Sequence, residues 1–157
     1  MIGGRKDELG GSLYYSIHEE LGANVPNPNI DEVKNQIYAI TDGIGSNLIS
    51  SCHDISDGGV AVTLSEMTFE NGIGCNVNIP GKLVLEKLLF SETGGFIIEV
   101  PDSNINSIKK IFDNYNIEIY LIGETSKEKH IRINNKINLK TDEAKELWLH
   151  GLRDKIR

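Results

Sequence analysis

The sequence predicts an α/β sandwich, a mixed β-sheet flanked by helices, three-layered or ferredoxin-like in topology. Three observations lead there. Short β-prone runs alternate with amphipathic helical ones along all 157 residues, which is the pattern of helices layered on a sheet. HIRIN (130–134) and INLK (137–140) flank a turn-rich NNK (134–136) and read as a hairpin, so at least one pair is antiparallel and the sheet is mixed. GGFIIEV (94–100), a helical stretch carrying Ile105, Ile108, Ile111 and Phe112, and IEIYLIGE (117–124) make a strand-helix-strand unit.

Each element has its own signal. Ser12 stands where a cap belongs ahead of LYYSIHEE, and Gly22 is placed to end that helix left-handed. NVPNPN (24–29) is a loop. Asp31 then sits as a cap before Val33, Ile37, Ile40 and Ile44, whose spacing along one face predicts a helix over about 31–43 or beyond, its far end weakened by Gly43 and Gly45. LISSCHDIS (48–56) has the brevity and apolar content of a strand. Val60, Ala61, Leu64 and Met67 then trace one face of a helix that stops near Gly72. GCNVNI (74–79) alternates like a half-buried strand, KLVLEKLLF (82–90) reads as helix, and Asp102 or Ser103 opens the helix after GGFIIEV. Thr141 is the expected cap of a closing helix whose Ala144, Leu147, Trp148 and Leu152 should dock on the body.

Bulk properties bound the function. The length suits one domain over residues 1–157 with a real core. A formal charge of −7 argues against nucleic acid as the main partner, since phosphate backbones are held by clustered Lys and Arg. Cys52 and Cys75 form no CxxC pair, which leaves a structural zinc site without support and suits reduced thiols in a cytoplasm. No stretch approaches the roughly 18 apolar residues of a membrane span. We therefore expect a soluble cytoplasmic protein with neither a membrane nor a nucleic-acid partner, its self-association left open.

The chemistry-bearing stretches are three glycine-rich loops. In HDISDGGVAV (53–62) the opening helical turn offers unpartnered N–H groups and a positive dipole end, which attract phosphate or carboxylate. Gly58 and Gly59 let a ligand lie against the main chain, and Ser56 adds a hydroxyl. Asp54 and Asp57 repel a bare phosphate but become useful where Mg²⁺ bridges, or where a carboxylate grips a hydroxyl or amide. The competing reading is that Ser56 or Asp57 only caps the helix while the glycines permit a turn and close packing. The loop is neither a Walker loop nor a dinucleotide fingerprint. The second loop, LFSETGGF (89–96), places Glu92 and Thr93 at the mouth of a strand, as ligand contacts or as ordinary loop residues. The third, ELGGS (8–12), brings Gly11 and Ser12. Convergence of all three at one sheet edge would make a ligand crevice. His53 beside Asp54 invites an acid-base role, against the commoner one of a hydrogen-bonded structural histidine. No catalytic set is complete, so no catalytic residue is named, and the metal-binding residues stay unknown.

Taken in order, ELGGSLYYS, SSCHDISDGGVAVTLSEM, LFSETGGFIIEV, IGE (122–124) and a closing ELW…GL resemble the carboxy-terminal domain of the large, synthetase subunit of phosphoribosylformylglycinamidine synthases. That domain belongs to the superfamily of the aminoimidazole ribonucleotide synthetase carboxy-terminal domain, an α/β sandwich of partial ferredoxin-like topology. The resemblance implies a share in purine biosynthesis. There ATP phosphorylates the amide oxygen of formylglycinamide ribonucleotide, and glutamine-derived ammonia displaces the phosphate to give the amidine. It implies ATP and Mg²⁺ as cofactors of the full enzyme. Its partners would be the remaining synthetase domains, a glutaminase subunit and a small accessory subunit. Catalysis would reside on the other domains, leaving this chain inactive alone and contributing a phosphate cradle of Ser56, Asp57, Gly58, Gly59, Glu92 and Thr93, supported by His53, Asp54, Gly11 and Ser12. The alternative is a noncatalytic assembly or nucleotide-binding module. Leu13 stands where the family usually has glutamate, and Gly95 where arginine is common.

Overall fold

The computed structural model describes residues 1–70 and 72–151. Helix α1 (Leu13–Ile17) is capped as expected, the Ser12 hydroxyl accepting from the Tyr15 amide at 3.3 Å. It ends before Gly22, which has φ +69° and whose missing Cβ leaves room for the Tyr15 ring against the backbone. Helix α2 (Ile30–Gly45) starts one residue before Asp31. Its cap is Asn29, whose Oδ1 accepts from the amides of Asp31 and Glu32 at 3.1 and 3.2 Å. The inward face of α2 also differs from the expected one: Gln36, Ala39, Ile40 and Gly43 are buried, while Ile37 and Ile44 are exposed. Gly43 explains the choice, because it leaves room for the Ile49 and Ile108 side chains against the helix backbone.

Strands β1 (Ser51–Asp54) and β3 (Phe96–Glu99) pair antiparallel, His53 opposite Ile97. Between them in sequence lie helix α3 (Gly59–Phe69), strand β2 (Gly74–Val77) and helix α4 (Leu85–Phe90). A short 3₁₀ turn at Asp102–Asn104 leads into α5 (Ile105–Asn114). Strands β4 (Gly123–Ser126), β5 (His130–Ile133) and β6 (Ile137–Lys140) join β2 in a second sheet of order β4-β2-β5-β6. In it β2 and β5 run parallel and the other neighbours antiparallel. The sheet is mixed, as predicted, but divided in two.

The strand-helix-strand unit takes a split form. Residues 117–122 are not a regular strand, and β4 begins only at Gly123. The gap is filled by the amino terminus: Ile2 bridges antiparallel to both Phe96 and Ile119, so those two segments run parallel with Ile2 between them. The Met1 amine donates to the Tyr120 carbonyl at 2.8 Å and the Tyr120 amide to the Met1 carbonyl at 2.9 Å.

The core forms on both sides of this seam. Met1, Ile97, Cys75, Val77, Ile131 and Ile133 pack around Val60, Ala61 and Leu64 of α3, while Ile2, Ile108, Phe112, Ala39 and Ile40 make a second cluster under α2 and α5. Helix α6 (Thr141–His150) lies on α3. Thr141 does not cap it. The hydroxyl is buried and donates to the Ile73 carbonyl at 2.9 Å, tying the helix start to the residue that leads into β2. Trp148 meets Phe69 with ring centroids 5.9 Å apart, whereas Leu147 is 67% exposed and does not dock. Leu152 lies outside the described residues.

Candidate functional site

The three glycine loops converge, and one side chain joins them. Glu92, on the loop between α4 and β3, places its Oε1 2.9 Å from the Gly58 amide and 2.9 Å from the Leu13 amide. SDGG, SETGG and ELGGS thus meet at the amino-terminal ends of α3 and α1. Neither Ser56 nor Asp57 caps α3. The capping position is Gly58, with φ +77° and no side-chain bond of its own, and the carboxylate of Glu92 serves in its place. An acid is the residue type this position favours, because the end of a helix presents orphan N–H groups and a partial positive charge.

The two amides read from the sequence as a phosphate cradle are therefore both engaged within the chain. Gly58 donates to Glu92, and Gly59 donates to the Ser56 carbonyl at 2.9 Å. Both glycines are buried. At Gly59, φ is +65° and a Cβ would lie 2.6 Å from the Leu89 carbonyl oxygen and 2.9 Å from that of Ser91, so the residue permits close approach of α3 to the α4 exit.

Behind this ring sits a second layer. The hydroxyl of Thr93, a buried residue, donates to Glu8 Oε2 at 2.8 Å, and that of Ser91, 0% exposed, to the Lys6 carbonyl at 2.9 Å. Arg5 donates to the carbonyls of Thr93 and Gly94 at 2.6 and 2.7 Å. Burial draws its guanidinium down to about 10, opposed by the charge of Glu8. Arg5 also passes over Gly95, whose φ is +133° and where an added Cβ would collide first with the Ile2 carbonyl oxygen and then approach the Arg5 terminal nitrogen to 3.0 Å. Sequence reasoning missed Arg5 and Glu8. Their signal was available in GRKDELGG (4–11), where charged residues stand between glycines beside a loop already singled out.

The exposed rim consists of Asp54, Ser56 and Asp57, together with Gly11 and Gly94. At those two glycines a Cβ would meet nothing within 4 Å, so their backbone faces open space. His53 leans away from the rim. Its Nδ1 lies 2.7 Å from the Asp54 carbonyl oxygen and its Nε2 3.3 Å from Glu66 Oε2, and Glu66 also accepts from the Trp148 indole at 2.8 Å. This is the structural reading of His53, a tie between β1, α3 and α6. Among the described residues, no three His, Cys, Asp or Glu side chains are grouped at metal-binding spacing, and no helix is long and apolar enough to cross a membrane.

A separate cavity of about 470 Å³ opens between the two sheets, lined by Leu64, Met67, Ile97, Ile105, Ile119 and Ile122 among others. None of the three loops contributes to it.

Residues 1–136 match the family described as AIR synthase related protein, C-terminal domain. The chain is 35% identical, over 100% of its length, to the phosphoribosylformylglycinamidine synthase subunit PurL of Methanothrix thermoacetophila, of which it spans 21%. Its fold is similar to that of Thermotoga maritima PurL complexed with FGAR, with a TM-score of 0.77 over 91% of this chain and 26% of that one. For T. maritima PurL complexed with ATP the TM-score is 0.68, over 91% and 24%. Identity to both is 15%, so these two likenesses are of fold. The chain spans about a fifth of the curated relative and about a quarter of each solved chain.

Proposed function

The chain belongs to the family of AIR synthase related carboxy-terminal domains, and from that premise we propose that it serves as one domain of a phosphoribosylformylglycinamidine synthase. The reaction is the ATP-dependent conversion of formylglycinamide ribonucleotide to its amidine with glutamine-derived ammonia, a cytoplasmic carbon-nitrogen ligation. Supporting it are the whole-length identity to PurL and the convergence of SDGG, SETGG and ELGGS, whose order carries the family resemblance.

This chain's share follows from the bonds that Glu92 makes. ATP and Mg²⁺ do not fit the loop as it stands, because the amides that would meet a phosphate already hold a carboxylate and a carbonyl. The group that makes the amide oxygen a leaving group is ATP, held on other domains. Here Glu92 fixes the ring, and the rim of Ser56, Asp57, Gly11 and Gly94 faces the neighbouring domain across the cleft. The apolar surface of Leu13, Ile17, Leu21 and Val25, each about half exposed or more, continues from that rim and suits a domain packed against it. The glutaminase and the small accessory subunit complete the assembly.

The experiment is amidine formation by a full-length synthase carrying this domain. Ser56→Ala with Asp57→Asn lowers kcat/KM by at least about tenfold while unfolding at the unaltered temperature. Unchanged kinetics remove the rim from the reaction. The occupied amides favour a second reading, a noncatalytic module that only braces its neighbours. Calorimetry separates the two: in the first, ATP or the ribonucleotide binds once the partner domains are added and the rim variant weakens that binding; in the second, the variant leaves it unaltered.

A further inference from the structure

The hairpin of β5 and β6 is the most basic part of an acidic molecule. Residues 126–140 carry five Lys and Arg against one Glu, in a chain of formal charge −7. Two of the five are paired, Arg132 with Glu128 at 2.8 Å and Lys129 with Asp142 at 3.7 Å. Lys127, Lys136 and Lys140 are exposed, with no ion pair among the described residues. Strand β6 is also the edge of its sheet. The Thr141 amide donates to the Lys129 carbonyl, and with Ile131 opposite Leu139 and Ile133 opposite Ile137 this places the ladder bonds at 137, 139 and 141. The peptide groups of Asn138 and the N–H of Lys140 therefore face away from β5. Leu139, on the inner face with Ile131 and Ile133, is still 41% exposed.

We propose that this edge receives an acidic extended segment of a partner protein, added as a fifth strand. Main-chain bonds to Asn138 and Lys140 supply the pairing, and alternation supplies the selection: apolar side chains meet Leu139 while acidic ones meet Lys136 and Lys140 on the outer face. The same lysines repel the β6 edge of a second copy, which is how sheet edges avoid pairing with themselves. Nucleic acid fits less well. No Phe, Tyr or Trp lies within 126–140 to stack a base. The surface uses no residue of the three glycine loops, so its fate is independent of the function proposed above.

The test is fluorescence anisotropy of the whole chain with a labelled peptide of alternating glutamate and valine, beside a lysine-valine peptide and an oligouridylate of matching charge. The acidic peptide binds saturably and the basic one does not, and the oligouridylate binds at least about tenfold more weakly than the acidic peptide. The double variant Lys136→Glu with Lys140→Glu weakens binding by about tenfold or more, and so does Asn138→Pro, which removes an outward donor without breaking the ladder. Absence of saturable binding, indifference to Asn138→Pro in a folded protein, or equal affinity for the oligouridylate overturns the proposal. Where Asn138→Pro fails to fold, the double lysine variant decides.

Discussion

Replacing Glu92 tests whether one carboxylate organises the three loops. Glu92→Ala strips the partner from two backbone donors, of which the Leu13 amide is at the surface and regains water while the Gly58 amide is buried. A charge-assisted bond to a buried amide contributes about 1.5–3 kcal/mol, the surface one about 0.5, and the charge at the α3 end a further 0.3–1. The alanine variant is therefore less stable by about 3 kcal/mol, a fall of roughly 6–12 °C in Tm for a chain of this size. Glu92→Gln keeps an acceptor oxygen and loses only the charge, so it costs about 1 kcal/mol. Urea unfolding at neutral pH reads both, with the slope checked for constancy. If alanine and glutamine cost the same, or alanine costs under about 0.5 kcal/mol, Glu92 does not hold the ring and the helix end has another partner.

Gly59→Ala places a Cβ 2.6 Å from the Leu89 carbonyl at a φ of +65° and destabilises by about 3 kcal/mol or more, whereas Gly11→Ala, with φ +72° and open space, costs about 1–2 kcal/mol by the same unfolding assay. In the isolated 157-residue chain the Met1 amine, drawn down to about 5 by burial and secondarily by the charge of Arg5, stays neutral in the fold where the unfolded chain still takes up a proton. Stability consequently rises with pH between about 5 and 8, by up to about 4 kcal/mol, and an amino-terminally acetylated chain loses that rise. Asn134→Ala removes both side-chain bonds to the Ile79 backbone, accepted at 2.7 Å and donated at 3.1 Å, and costs about 2 kcal/mol, with faster amide exchange at Ile79.

What the sequence disclosed and what it hid divide on physical lines. Periodicity placed α3 and α5 on the correct faces because nothing competes with their apolar stripes. On α2 it misled: Ile37 and Ile44 share the helical spacing, but the choice between two apolar stripes was made by Gly43, whose lack of a side chain admits Ile49 and Ile108. The expected caps at Asp31, Ser56 and Thr141 were each overridden by a partner that the local pattern does not show. A better-placed acceptor was supplied two residues away by Asn29 or from a distant loop by Glu92, while Thr141 found a carbonyl to serve. Loop convergence was readable as three glycine signatures, but the bonds that close it span 34 and 79 residues and no local pattern announces them. The bridging strand at Met1–Ile2 was equally silent, two residues being too few for any period.

That bridge governs the order in which the molecule can be finished. Ile2 lies between Phe96 and Ile119, so the seam of the first sheet cannot close during synthesis until Ile119 has left the ribosome, although Ile2 itself is made long before. Until then Ile2 can pair only with Phe96, and its other edge waits for the partner that Ile119 supplies.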